Sequence, residues 1–196
     1  MELTNKQNLN VTSALLFLTV LTQAIYTALY VGASDVPRQW LWSLEGLVFV
    51  LLMAFAGSAL ARANSYTLGF SAIFASAILN FLQVGIGLTQ FGPFREVSQA
   101  VEGIAPAAGG IFAFSFFIYN AAKILLGLGA VVFGSALSQA GSKLIGRLAI
   151  LIGLAAVVTN AIVMTFGRIE GVPSGATGAV ATLMLAVCLF KLNSDD

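Results

Sequence analysis

The sequence predicts an all-α integral membrane protein, a bundle of six transmembrane helices, and three observations carry that prediction. Hydrophobic residues make up 59% of the chain and charged residues only 9%. Mean hydropathy is +0.96. Apolar runs of membrane-spanning length recur along the whole chain, separated by short polar turns. A soluble domain carries about a quarter of its residues as charges, so lipid must be the solvent for most of this surface.

A helix in hydrocarbon satisfies its own backbone, and about 20 apolar residues let it cross. Such runs lie near 11–32, 40–60, 66–91, 109–137, 146–166 and 175–190. The first runs from Val11 to Gly32 and is followed by Asp35-Val36-Pro37-Arg38. The second opens on the interface pair Trp40 and Trp42 and stops at Arg62-Ala63-Asn64-Ser65. Gly92-Pro93 ends the third run, and Gly141-Ser142-Lys143 separates the fourth from the fifth. The fifth closes on Gly167-Arg168, and the sixth runs from Gly175 to Phe190. At 196 residues the expected organisation is one transmembrane domain over 1–196, without room for a sizeable soluble one.

Direction follows from the basic residues on alternate sides. Lys6, Arg62, Lys143, Arg147 and Lys191 share one side, against Arg38, Arg95 and Arg168 on the other. The richer side is cytoplasmic, which predicts a multi-pass protein of the cell membrane with both termini inside. Asp35, Glu96, Glu102 and Glu170 then lie outside. Val31-Gly32-Ala33 would pass as a signal-peptide cleavage site, but the preceding apolar run is too long and the leading Glu2 and Lys6 are not net positive. The first run is therefore read as a retained span.

Composition also removes function classes. The chain has no histidine and one cysteine, Cys188, which leaves neither a transition-metal cluster nor an internal disulfide framework. No cofactor and no metal are predicted. No basic run supplies a nucleic-acid footprint. No Gly-x-Ser-x-Gly, acidic phosphate-metal or His-Glu zinc motif supports an enzyme.

An internal match is visible at an offset of 77. Gly57-Ser58-Ala59-Leu60 falls on Gly134-Ser135-Ala136-Leu137, Ala63 on Ala140, Ser65 on Ser142 and Gly69 on Gly146. This suggests a parallel repeat of the second and third helices in the fourth and fifth. The other reading is coincidence among abundant small residues that serve close helix packing.

Polar side chains inside the spans carry the functional reading, because each needs a partner in hydrocarbon. Thr19, Thr22, Gln23, Tyr26 and Tyr30 form one stripe on the first helix; Ser76, Asn80 and Gln83 form another on the third. Tyr119, Asn120 and Lys123 follow on the fourth, with Asn160 on the fifth and Glu45 on the second. Most lie in the middle or outer half, so a polar cavity opening outward over a sealed apolar floor is expected. The candidate ligand-binding residues are Lys123, Glu45, Asn80, Gln83, Asn120, Asn160 and Gln23, with Tyr26, Tyr119 and Trp42 able to stack on a ring.

Lys123 lies too deep to reach the surface, and Glu45 is the one acid embedded in a span. The repeat register puts them at similar heights and predicts an ion pair, direct or bridged. Such a pair serves either a ligand site or the unique arrangement of helices, and Lys123 meeting another subunit is the third possibility. The outer segment Gly92 to Ala108 has apolar residues at helical spacing and is expected to be a connector or a short interfacial helix across the mouth.

The function expected is binding or transport of a small amphipathic or zwitterionic molecule. The alternative is a structural or accessory subunit, bonded to partner membrane subunits and without a ligand of its own. The first places the polar stripes inward and the second outward. In length and helix number the chain is similar to the membrane substrate-binding subunits of energy-coupling-factor vitamin importers, and no sequence motif extends that likeness.

Overall fold

The computed structural model describes residues 4–33, 36–167 and 169–194, and Asp35 and Arg168, used above for direction, lie outside the described residues. Among these residues the chain forms α1 (Asn5–Val31), α2 (Gln39–Arg62), α3 (Thr67–Ala100), a 3-10 turn at Glu102–Ile104, α4 (Ala105–Gln139), α5 (Lys143–Phe166) and α6 (Ser174–Ser194). All six helices are long and apolar enough to cross a membrane.

Local chemistry sets the ends. Thr4 and Gln7 form a capping box, the Gln7 N–H donating to Thr4 Oγ1 and the Thr4 N–H donating to Gln7 Oε1. This starts α1 a full turn and more before the apolar run. The α4–α5 turn is a Schellman motif: Ser142 N–H donates to Leu137 O and Gly141 N–H to Ser138 O. Gly141 sits there at φ 108°, a conformation that suits only a residue without a Cβ.

The segment after Phe91 differs from expectation. α3 continues through Gly92 and Pro93 to Ala100, so neither a plain loop nor a separate interfacial helix lies over the mouth. Pro93 and Thr89, whose carbonyl loses its N–H partner, are both exposed near the end of the span, where water can replace the lost bond. At 34 and 35 residues, α3 and α4 are about 50 Å long and outrun a hydrocarbon core of about 30 Å.

Helices α1, α2, α3, α4 and α6 form a closed ring, each packed on its neighbours, while α5 lies outside against α4 and α6. The start of α1 and the end of α6 lie on one face, where Asn193 Nδ2 donates to Lys6 O and to Asn10 Oδ1. We call this the terminal face and its opposite the far face. Leu16, Phe49, Leu52, Ile73, Leu126 and Leu185 fill the middle of the ring as an apolar plug.

Glycine sets the closest approach. A Cβ on Gly127 would stand 2.8 Å from the Gly153 carbonyl oxygen, and one on Gly146 would stand 2.5 Å from that of Gly134. The α4 and α5 backbones therefore touch at two places seven residues apart. In the matched positions of the other pair, Gly57 faces the Phe74 ring and Gly69 the Phe133 ring. The glycines aligned by the internal match thus hold different packing roles.

Candidate functional site

Hydroxyl and amide groups that lipid cannot solvate turn inward or onto their own helix. Thr12, Thr19, Thr27, Thr89, Thr159 and Thr182 each donate to the carbonyl four residues back. Ser13 Oγ of α1 reaches Ala186 O of α6 nearer the terminal face, and a polar layer makes further interhelical bonds on the far-face side of the plug.

Two adjacent residues of α1 organise that layer. Thr22 Oγ1 donates to Glu45 Oε1 of α2 at 2.8 Å, and Gln23 Oε1 accepts from Lys123 Nζ of α4 at 3.0 Å. Lys123 is wholly buried and Glu45 nearly so. The lysine stem fits because α6 carries Gly178 opposite it, where a Cβ would stand 2.9 Å from both Cγ and Cδ. Its ammonium lies 5.0 Å from the Tyr119 ring centroid, a cation–π contact.

The expected direct ion pair is not formed: among the described residues, Lys123 and Glu45 each bond to a neutral side chain of α1. The two charges remain within electrostatic reach. Helical spacing explains the arrangement, since consecutive residues on α1 point in directions 100° apart and so serve two different neighbours.

Asn80 and Gln83 serve the α3–α4 seam. Asn80 Nδ2 donates to Ser76 O and Oγ, Ser76 Oγ donates across to Ala122 O at 3.0 Å, and Gln83 Nε2 reaches Ser115 Oγ at 3.4 Å. Asn160 ties α5 to α6 through Ser174 O at 3.2 Å, beside a Thr159–Thr177 hydroxyl contact of 2.7 Å. Asn120 Nδ2 bonds to Phe116 O of its own helix. The Oδ1 atoms of Asn120 and Asn160 are buried without a partner.

Above the polar layer, the far face opens into a cavity of about 310 Å³ lined by Tyr26, Arg38, Trp42, Gly87, Phe91 and Arg95, among others. Tyr26 and Trp42 stack at 5.6 Å, and Trp42 meets Phe91 edge-on at 5.7 Å. Arg38 lies over Tyr26 and Tyr30 at 5.6 and 5.3 Å. Gly87 lets the indole lie on α3, for a Cβ there would stand 3.1 Å from Trp42 Cζ3. Tyr26 is one turn from Thr22 and Gln23, and Trp42 one turn from Glu45, so the stacked pair separates the cavity from the buried charges.

The terminal face holds a larger cavity, about 650 Å³, bordered by Asn5, Asn8, Tyr66, Phe133, Gln139 and Leu192, among others. The apolar plug closes the middle of the ring, between this cavity and the polar layer. Of the ten candidate residues, Tyr26 and Trp42 line the far-face cavity; Gln23, Glu45, Tyr119 and Lys123 form the layer beneath. Asn80, Gln83 and Asn160 are distributed over helix seams, and Asn120 bonds within α4.

Sequence reasoning missed Arg38 and Asn8. Arg38 sits two residues before the Trp40 interface anchor, a position from which a guanidinium reaches back over neighbouring rings. Asn8 precedes the apolar run, and only the capping box at Thr4 signals that it is already helical. No protein family, no curated protein and no solved structure matches this chain.

Proposed function

We propose that this membrane protein binds, and carries across the bilayer, a small amphipathic or zwitterionic molecule that enters at the far face. The observation that supports this reading is the inward orientation of the polar side chains. Glu45, Asn80, Asn120, Lys123 and Asn160 are all buried within the isolated bundle. An accessory subunit whose polar stripe bonds to partner helices would show those groups on its outside.

The route has three stations. Arg38 and Arg95 at the mouth attract an acidic group, while Tyr26, Trp42 and Phe91 accept an apolar ring or chain. Movement of the Tyr26–Trp42 stack then admits the molecule to Lys123 and Glu45, which suit opposite charges on a zwitterion. The termini lie in the cytoplasm by the excess of basic residues on their side, so the far face is external and the direction is inward.

Incubating the purified protein with a whole-cell metabolite extract, washing, and identifying the retained compounds by solvent extraction and mass spectrometry tests this. A compound held by the wild-type chain and lost from Trp42→Ala and Tyr26→Ala is the expected result. Equal retention by all three proteins, or none by any, would sink the proposal.

A further inference from the structure

The cavity at the far face carries an electrostatic imbalance. Two of its lining residues are arginines from different elements: Arg38 is the N-cap of α2, and Arg95 lies in the last two turns of α3. Arg38 overlies the Tyr26 ring at 5.6 Å, and Arg95 acts on the same residue through space. Among the described residues, no carboxylate and no hydrogen-bond acceptor meets either guanidinium. Glu96, next to Arg95 in the chain, is exposed and outside the lining.

Charge and donor geometry together select the ligand. A single carboxylate at this mouth would neutralise one cation while displacing water from the other, which costs free energy. A phosphate monoester carries about −1.5 to −2 charges at pH 7 and three strong acceptor oxygens. Guanidinium pairs with phosphate bidentately, through two parallel N–H···O bonds. Contact with the Tyr26 and Tyr30 rings holds the Arg38 group without supplying an acceptor, so its donors stay available. The first turn of α2 has no side-chain cap, and its positive end adds to the same field. Trp42, Leu88 and Phe91 form the apolar wall, and none of the three is fully buried. At about 310 Å³ the cavity stands at the lower end of small-molecule sites, a size that suits one ring or short chain with one phosphate.

We infer that the far-face mouth takes a phosphate monoester of a single ring or short apolar chain, the dianion on Arg38 and Arg95 and the apolar part against Trp42 and Phe91. This rests on the reading that the far face admits an amphipathic substrate, and it names that substrate's acidic group. A lipid headgroup that is itself a phosphate monoester shares the chemistry, so the source is settled by a separate arm of the test.

The test is calorimetric titration of the full chain, in phosphatidylcholine nanodiscs, with phenyl phosphate, benzoate and benzenesulfonate. At pH 7.5 phenyl phosphate should bind at least about tenfold more tightly than the two monoanions. Its affinity should fall about fivefold as the pH is lowered to 5, because the second ionisation of the phosphate lies near 6. Benzenesulfonate keeps one charge throughout and reports any titration of the protein, including Tyr26, Tyr30 and Glu96 around the two arginines. Arg38→Gln and Arg95→Gln should each weaken phenyl phosphate about tenfold or more, and Arg95→Lys, which keeps the charge without the fork, should weaken it less than Arg95→Gln. Equal affinity for phosphate and carboxylate, or binding indifferent to both arginine substitutions, would overturn the inference. Phosphatidic acid at a few lipids per protein that abolishes phenyl phosphate binding would overturn it in favour of a lipid headgroup. The two readings fail separately. A Trp42-dependent compound from the extract that carries no phosphate removes this inference and keeps binding at the far face; phenyl phosphate binding with nothing retained from the extract keeps the anion site and removes the transported substrate.

Discussion

Lys123 on α4 and Gln23 on α1 are joined by a 3.0 Å hydrogen bond across a ring in which their two helices do not pack against each other. A side chain of lysine length is what makes that reach possible, and Gly178 on α6 gives its stem passage. The bond places a cation one residue along α1 from the hydroxyl that holds Glu45.

Coupling through α1 predicts a non-additive mutant cycle. Lys123→Met leaves Glu45 without a compensating charge, and Glu45→Gln does the reverse for Lys123, so each single variant should lower stability. The double variant should recover at least about 1 kcal/mol relative to their sum. Reversible unfolding in mixed micelles measures this, and strict additivity would show that the two charges do not interact.

The α4–α5 contact predicts opposite outcomes for two alanine substitutions. Gly146→Ala drives a Cβ to 2.5 Å from a backbone carbonyl that cannot swing away, and should cost about 1–3 kcal/mol. Gly85→Ala, with nothing within 4 Å of the added atom, should be neutral or stabilising by up to about 1 kcal/mol. Equal effects on unfolding would contradict the packing.

Orientation is open to thiol labelling. Cys188 is fully buried, so the native chain should resist a membrane-impermeant maleimide until denatured. In intact cells Gln39→Cys should then label and Ser65→Cys should not, because the two positions lie on opposite faces. The reverse pattern would invert the assigned direction.

Asn120 offers a separation of stability from binding. Its Oδ1 is buried and unpaired, and its Nδ2 bonds only within α4. Asn120→Leu should therefore keep stability within about 1 kcal/mol of wild type and leave ligand retention unchanged, since the side chain bonds only within α4. Loss of folding would assign the side chain to structure alone.

The helices were legible because the length of an apolar run and the thickness of a bilayer are the same physical constraint. The start of α1 was legible too, in Thr4-Asn5-Lys6-Gln7, though an apolar-run reading begins at Val11. Gly92-Pro93 misled, since that dipeptide ordinarily marks a turn, and its continuation as helix depends on water reaching the freed carbonyl. That Lys123 and Glu45 lie inside their helices could be read from their place in the runs. Their partners could not, because which side chain stands opposite depends on helix rotation and on the bare surface of Gly178. The terminal-face cavity is space left between several helices, and no local pattern encodes it.

Ligand binding at the polar layer is the central claim, and native mass spectrometry of the chain in nanodiscs of one synthetic lipid, after exposure to cell extract, addresses it most directly. The wild-type protein should carry a small-molecule adduct that Lys123→Met lacks, with both proteins folded. The same adduct on both, or none on either, would contradict it.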